Sequence, residues 1–381
     1  MNRLSILVLA LTLALTATPA SAAAADSAPP GVCLPDIYTE PPADCDLAGP
    51  AASLSELAAM GLTYPRRPLP AARIDPALGT LPYFYLKVQD GPTKVFDSLG
   101  AAVEGKIAKR VVEPGFRYFT YIDFADVDGK RYYLIAPGEW VRRDQVSPNP
   151  AISQFSGLAF QATPRNPFGW FLWPIQSQRA PGTAGAAQPL NWYAKQEVFQ
   201  FYERLDLDGL VWYRIGPEEW VESRGTAVVY PNAAAPEGVP SGRWIDVDLD
   251  QQTIAVYDNN RLVFATLVST GVPGWWTRPG LFQIYEKHET TYMTGAFEAD
   301  RSDFYYLEDV PYTMYFDQAR AFHGAYWHDY FGIEQSHGCA NLSAADSRWL
   351  FDWAQIGDYV YVHDRTGQTP TDPSLYGEGG A

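Results

Sequence analysis

The residues best arranged for covalent chemistry lie in one stretch, His323 to Leu342, where Cys339 follows His323 and His337 closely enough for either imidazole to reach it. A cysteine attacks a carbonyl as thiolate, and a free thiol is mostly protonated at neutral pH, so an imidazole is its usual activator. Gly338, immediately before the thiol, lets the backbone turn tightly with no Cβ in the way. Amide N–H groups at Gly338 and Cys339 are then available to a developing oxyanion. Nucleophile, base and donors together are the parts of an acyl transfer.

Two other readings use the same residues. An inert buried thiol needs neither a flanking glycine nor a histidine, so it leaves both unexplained. A zinc site of His323, His328, His337 and Cys339 has spacings unlike those of structural or catalytic zinc sites, and no metal or other cofactor is expected. His288 and His363 have no evident partner in the sequence and are expected to be structural.

The elements that must position this stretch belong to a long chain. Its 381 residues exceed one ordinary domain and fit two or three, and a hydrophobic content of 47% is ample for their cores. The formal charge of -16 excludes a nucleic-acid partner, which would need clustered Lys and Arg. At the start, Arg3, the apolar run Leu4 to Leu15 and the small residues Ala20-Ser21-Ala22 read as a secretory signal peptide over 1–22. That run is too short to span a bilayer comfortably and no second one follows, so no transmembrane anchor is expected after cleavage. The protein is expected to be exported, to a periplasm, a cell wall or the medium. Of three cysteines, Cys33 and Cys45 can close a disulfide loop of eleven residues, which leaves Cys339 unpaired.

Residues 23–80 are rich in Ala and Pro and read as a tether. An internal repeat follows. Residues 126–141 align without a gap on 206–221, with nine identities in sixteen positions. Asp128-Gly129 and Asp208-Gly209 mark tight hairpin turns, and the aromatic and β-branched residues after them favour strand. Phe124 and Arg204 stand where an EF-hand loop would need an oxygen ligand, so these are turns and not calcium sites. Two small β modules are expected, at 81–149 and 150–228, then a linker at 229–242. Tyr133, Trp140, Tyr213 and Trp220 are expected in their cores.

From Trp244 onward the pattern is antiparallel hairpins, with one helix capped by Ser343, carrying Asp346 at the capping-box position and Trp349, Leu350 and Trp353 on its apolar face. This third unit is expected over 243–364, with a disordered tail at 365–381.

The run Ser336-His337-Gly338-Cys339-Ala340-Asn341, with His323 upstream, resembles the signature of the L,D-transpeptidase catalytic domain, the YkuD family. The resemblance covers Trp244 to Val362 and takes in Ser269-Thr270-Gly271 and Thr277-Arg278-Pro279-Gly280. The twelve residues between His323 and Ser336 are a short spacer for that pattern. The resemblance implies that Cys339 is the nucleophile, His323 its proton acceptor and donor, and the Gly324 carbonyl the group that orients His323. It implies a place beside the thiol for His337, and an oxyanion role for the backbone at Gly338. Ser336, Asn341, Tyr315 and Trp327 are expected to meet substrate, with Asn341 equally able to hold loop backbone. The implied substrate is the peptide stem of peptidoglycan, joined 3-3 when an amine accepts the acyl group and trimmed when water does. Residues 285–320, with Tyr292, Met293, Tyr305 and Tyr306, are expected to form the lid that selects the acceptor.

Each repeat resembles a bacterial SH3-like domain, which implies binding to cell-wall glycan or peptide. Sortases carry Thr-x-Thr-Cys instead of Ser336-His337-Gly338-Cys339, and NlpC/P60 peptidases place cysteine before histidine. A wall-binding protein whose third domain has lost its activity is the non-enzymatic alternative. The expected fold is mainly β: two SH3-like barrels, then a β-sandwich-like catalytic domain with one or two helices.

Overall fold

The computed structural model describes residues 69–376 apart from 149, 183–187, 233 and 241, together with two short strands, Gly31–Cys33 and Cys45–Leu47, paired in parallel. The expected signal peptide, most of the tether and the side chains of Cys33 and Cys45 lie outside the described residues. The protein is mainly β, with α-helices at Leu99–Glu104 and Ala344–Trp353 among the described residues.

The repeat is visible as two copies of one hairpin. Asp123–Val127 pairs with Lys130–Ala136, and Glu203–Leu207 with Leu210–Gly216. Both turns have two residues at positive φ, 49° and 74° at Asp128 and Gly129, 54° and 78° at Asp208 and Gly209. That is the type I′ geometry for which Asp-Gly is favoured. Each hairpin gains a third strand, Glu139–Arg142 or Glu219–Glu222, then a 3-10 turn and a strand, Val146–Pro148 or Thr226–Val229. Tyr133, Tyr213 and Trp220 are buried as expected, while Trp140 is half-buried against the helix of the first copy.

Two seven-stranded sheets organise the rest. One runs Gly280–Gln283, Tyr359–His363, Trp244–Asp248, Thr253–Asp258, Arg261–Leu267, Leu158–Phe160, Ala71–Arg73. The other runs Val146–Pro148, Phe84–Val88, Phe116–Tyr121, Tyr305–Asp317, Arg320–Gly324, Ala340–Leu342, with Glu286–Gly295 also paired to Tyr305–Asp317. Ile245, Val247, Ile254, Val256 and Phe264 from the first sheet pack on Met314, Phe316, Phe322, Ala340 and Leu342 from the second, which makes a sandwich. The helix Ala344–Trp353 adds Leu350 to this core, and its Ser343 cap accepts from Asp346 N at 3.1 Å.

The second sheet crosses from the first repeat into the sandwich. Phe116, Arg117 and Tyr118 pair in parallel with Tyr305, Tyr306 and Leu307. The stretch read as a lid is thus mostly a long antiparallel hairpin docked on the first repeat, whose core takes in Phe304. Within the stretch read as a tail, Pro373–Leu375 form a 3-10 turn, and the Arg320 guanidinium lies 5.2 Å from the Tyr376 ring.

Candidate active site

His323 lies on the strand Arg320–Gly324, and Cys339 is the residue just before its neighbour, Ala340–Leu342. Phe322 pairs with Ala340 and His323 with Asn341 in a parallel ladder. Paired residues of a ladder project to the same face, so His323 and Asn341 share one, while Cys339, just before the strand, turns its thiol to the backbone of the neighbouring strand. The thiol is fully buried, accepts from Ala321 N at 3.3 Å and donates to Ala319 O at 3.6 Å.

The loop before the thiol is tied to the Ser269-Thr270-Gly271 segment. Asn341 and Ser269 exchange backbone hydrogen bonds at 2.8 and 3.0 Å, and Gln335 N and Ser336 N both donate to Thr270 O. Gln252 fixes Thr270 from behind, accepting from its N–H at 2.8 Å. Thr277 bridges the two segments: its Oγ1 accepts from Gly271 N at 3.0 Å and donates to Gly338 O at 2.9 Å. These bonds explain in physical terms why both motifs occur together.

Ser336 shapes the turn itself, donating to Cys339 O at 2.5 Å and accepting from Gly338 N at 3.1 Å. The Gly338 amide is therefore engaged in this structure, and using it for an oxyanion requires that bond to open. Gly338 has φ of 117°, and a Cβ there would meet Arg320 Nε at 3.2 Å.

His323 is fully buried, with Nδ1 3.4 Å from Gly324 O and Nε2 without a hydrogen-bond partner. Nδ1 is thus the protonated nitrogen and Nε2 the basic one. Burial pushes the imidazole down to about 4, against the Gly324 bond, and pushes the Cys339 thiol up to about 12, against the Ala321 bond and the Arg320 charge. Both groups are neutral at rest. Arg320 is itself held by Asp317 at 3.3 Å, and Asp317 also takes Arg278 Nε at 2.9 Å, so the arginine of Thr277-Arg278-Pro279-Gly280 anchors the charge behind the thiol.

Aromatic rings line both sides. His337 is half-buried among Trp275, Phe297 and Tyr305, at 4.5, 5.2 and 6.1 Å between ring centroids. Trp327 lies 5.7 Å from His323 and 6.1 Å from Phe116 of the first repeat. Tyr315 is half-buried, and its phenol is raised chiefly by burial, with the Cys339 charge a smaller cause. His328 meets the Asn341 side chain at 3.2 Å, a contact set by strand pairing and loop shape that spacing did not reveal. His288 and His363 lie outside this cluster on Glu286 and Asp246, at 2.9 and 2.8 Å. Among the described residues no group of three His, Cys, Asp or Glu side chains could hold a metal ion.

A buried thiol and a buried imidazole on adjacent segments, with aromatic rings around them, make a site suited to cysteine acyl chemistry. Residues 242–362 match the YkuD family, the L,D-transpeptidase catalytic domain, so this part of the chain is such a domain. Among solved structures, the chain is similar to an L,D-transpeptidase from Stackebrandtia nassauensis, with 29% identity over 35% of this chain and 59% of that one, TM-score 0.27. It is also similar to the catalytic domain of the Enterococcus faecium L,D-transpeptidase, with 26% identity over 33% of this chain and 100% of that one, TM-score 0.30. An L,D-transpeptidase from Mycobacterium smegmatis matches at 17% identity over 55% of this chain and 90% of that one, TM-score 0.31. No curated protein gives a significant match.

Proposed function

We propose that the chain is an exported peptidoglycan L,D-transpeptidase that works through a Cys339 thioester. The observation that carries this reading is that Cys339 immediately precedes the strand paired with the His323 strand, with both side chains buried and His323 Nε2 left without a partner. With substrate in place, His323 Nε2 takes the thiol proton while Gly324 O keeps Nδ1–H and so the ring orientation. The thiolate attacks the carbonyl of the third stem residue, and the oxyanion meets backbone N–H at Cys339, joined by Gly338 when Ser336 releases it. The C–N bond to the terminal D-Ala breaks, and the imidazolium gives its proton to the departing amine. An acceptor amine, deprotonated by His323, then attacks the thioester, returns the thiol and leaves a 3-3 cross-link. His337 and Asn341 face the substrate on either side, and the Trp327 and Tyr305 rings form the walls.

The two repeats are proposed to be SH3-like wall-binding modules. The hairpin, third strand, 3-10 turn and closing strand of each copy support this. Trp173 and Trp192 of the second copy are exposed and offer faces to glycan or peptide. Pull-down of purified sacculi with the full chain tests it; no recovery removes this role.

The test of the reaction is incubation with disaccharide-tetrapeptide, read by mass, beside Cys339→Ala. Loss of D-Ala with dimer formation, absent in the variant, is expected. Loss without dimer would make the protein an L,D-carboxypeptidase, and no loss at all would leave it a wall-binding protein.

A further inference from the structure

His328 accepts Tyr330 N–H at Nδ1, at 3.2 Å. A neutral imidazole has one acceptor nitrogen and one N–H, so Nε2 carries the proton. The Asn341 carboxamide meets that N–H at 3.2 Å through its Nδ2 position, and its Oδ1 position is buried without a partner. Two donors do not bond each other. The backbone N–H of Tyr330 cannot be reversed, whereas a carboxamide can exchange its oxygen and nitrogen by a half-turn. The oxygen therefore belongs against His328, which places the Asn341 amino group at the unpartnered position. Asn341 is directly opposite His323 in the ladder, so a second buried polar group without a protein partner belongs to the residue paired with the one that carries the unpartnered Nε2.

The loop carrying His328 is gripped by both repeats. On one side Tyr326 stacks on Tyr85 at 3.6 Å, and Trp327 meets Phe116 and Tyr118 of the first repeat at 6.1 and 6.5 Å. On the other, Lys195 of the second repeat donates to Asp329 O and to Asp329 Oδ2, both at 2.7 Å. Ser153 Oγ and the Gln196 side chain close on the same carboxylate. Asp329 is the residue after His328.

We infer that His328 is a positioning residue, held in place by the two repeats, that turns the Asn341 amino group into the acyl site to receive a carbonyl oxygen of the donor stem peptide. This rests on the acyl-transfer reading above. The repeats then belong to the catalytic unit and are more than a tether to the wall.

A double-mutant cycle on the full chain tests it: His328→Ala, Asn341→Ala and the pair, with kcat/KM for D-Ala release from disaccharide-tetrapeptide. Each single change is expected to lower kcat/KM by about tenfold or more, and the pair by no more than Asn341→Ala alone. Losses that multiply would overturn the inference. Lys195→Met is expected to lower the same ratio by about threefold or more at an unchanged thermal midpoint; an unchanged ratio would remove the repeats from it. Imidazole 15N shifts of His328 give a readout that needs no turnover: protonated Nε2 is expected, and protonated Nδ1 overturns the inference. If the unaltered protein releases no D-Ala, the acyl-transfer reading fails by itself, and the tautomer still decides the orientation of Asn341.

Discussion

The Tyr85 ring stacks on the Tyr326 ring with 3.6 Å between centroids and 23° between planes. Tyr85 belongs to the first repeat, and Tyr326 stands three residues beyond His323. Both rings are buried, and Tyr85 OH donates to Asp309 O at 2.9 Å. The packing of the first repeat and the start of the loop after His323 are therefore one contact. Tyr85→Ala is expected to cost about 3–5 kcal/mol, as for other large aromatic truncations, and to lower D-Ala release with it. Tyr85→Phe keeps the stack and is expected to cost only about 1 kcal/mol for the lost bond. Urea denaturation of both variants checks this; equal losses would mean that the hydroxyl, not the ring, holds the two parts together.

The neutral resting pair makes a prediction about reactivity. With the thiol pushed up to about 12 by burial and His323 pushed down to about 4, no thiolate–imidazolium pair is stored. Iodoacetamide should alkylate Cys339 slowly, with a rate that rises steadily from pH 7 to about 10 as thiolate forms. A plateau near neutral pH would show a preformed ion pair instead. The same shift bears on stability. A thiol whose folded pKa is raised contributes stability that is present below its unfolded value of about 8.5 and is lost as pH climbs toward the folded value. Cys339→Ala should therefore lose less stability than the unaltered protein between pH 8.5 and 10.5, measured by denaturant midpoint.

Gly338 turns the chain into Cys339 at φ of 117°, in the region that favours glycine. Gly338→Ala would strain the backbone by about 1–3 kcal/mol and press a Cβ toward Arg320. Because the thiol is the next residue, displacement is expected to lower kcat by about tenfold or more, beyond what the stability loss explains. Turnover unchanged in a variant of lowered midpoint would show that the turn serves folding alone.

The local parts of this design were legible in the sequence. The Asp-Gly turns, the Ser343 cap and the run from Ser336 to Asn341 are specified within a few residues, so residue type and spacing reveal them. The pairing of Phe116 with Tyr305, and of Lys195 with Asp329, joins segments more than a hundred residues apart, and no local pattern encodes such a partner. Tyr305–Asp317 was also hidden as a strand, because Asp309 and Tyr312, either side of Val310 and Pro311, have φ of 48° and 56° and break its alternation. His328 offered itself in the sequence only as a poorly spaced zinc ligand, because its partner Asn341 is brought to it by the ladder.

Asp346 gives the sharpest test of how the sandwich is joined to the chain before it. Its carboxylate is fully buried, accepts Gly157 N at 2.7 Å and Thr266 Oγ1 at 2.6 Å, and so ties the segment leading into the second repeat to the helix and to the first sheet. Burial pushes it up to about 6 in spite of these bonds. A carboxyl raised above its unfolded value of about 3.9 binds its proton more tightly when folded, so its contribution is present below that value and is lost as pH rises through 6. Asp346→Asn keeps an acceptor and cannot ionise. The variant should gain on the unaltered protein between pH 4 and 7.5, by on the order of 2–3 kcal/mol. Taking the difference between the two proteins cancels the opposite pull of His323, which is shared by both. Denaturant midpoints at pH 4.5 and 7.5 decide it: a gap that instead widens in favour of Asp346 as pH rises would mean that the two donors outweigh burial and hold the carboxylate charged.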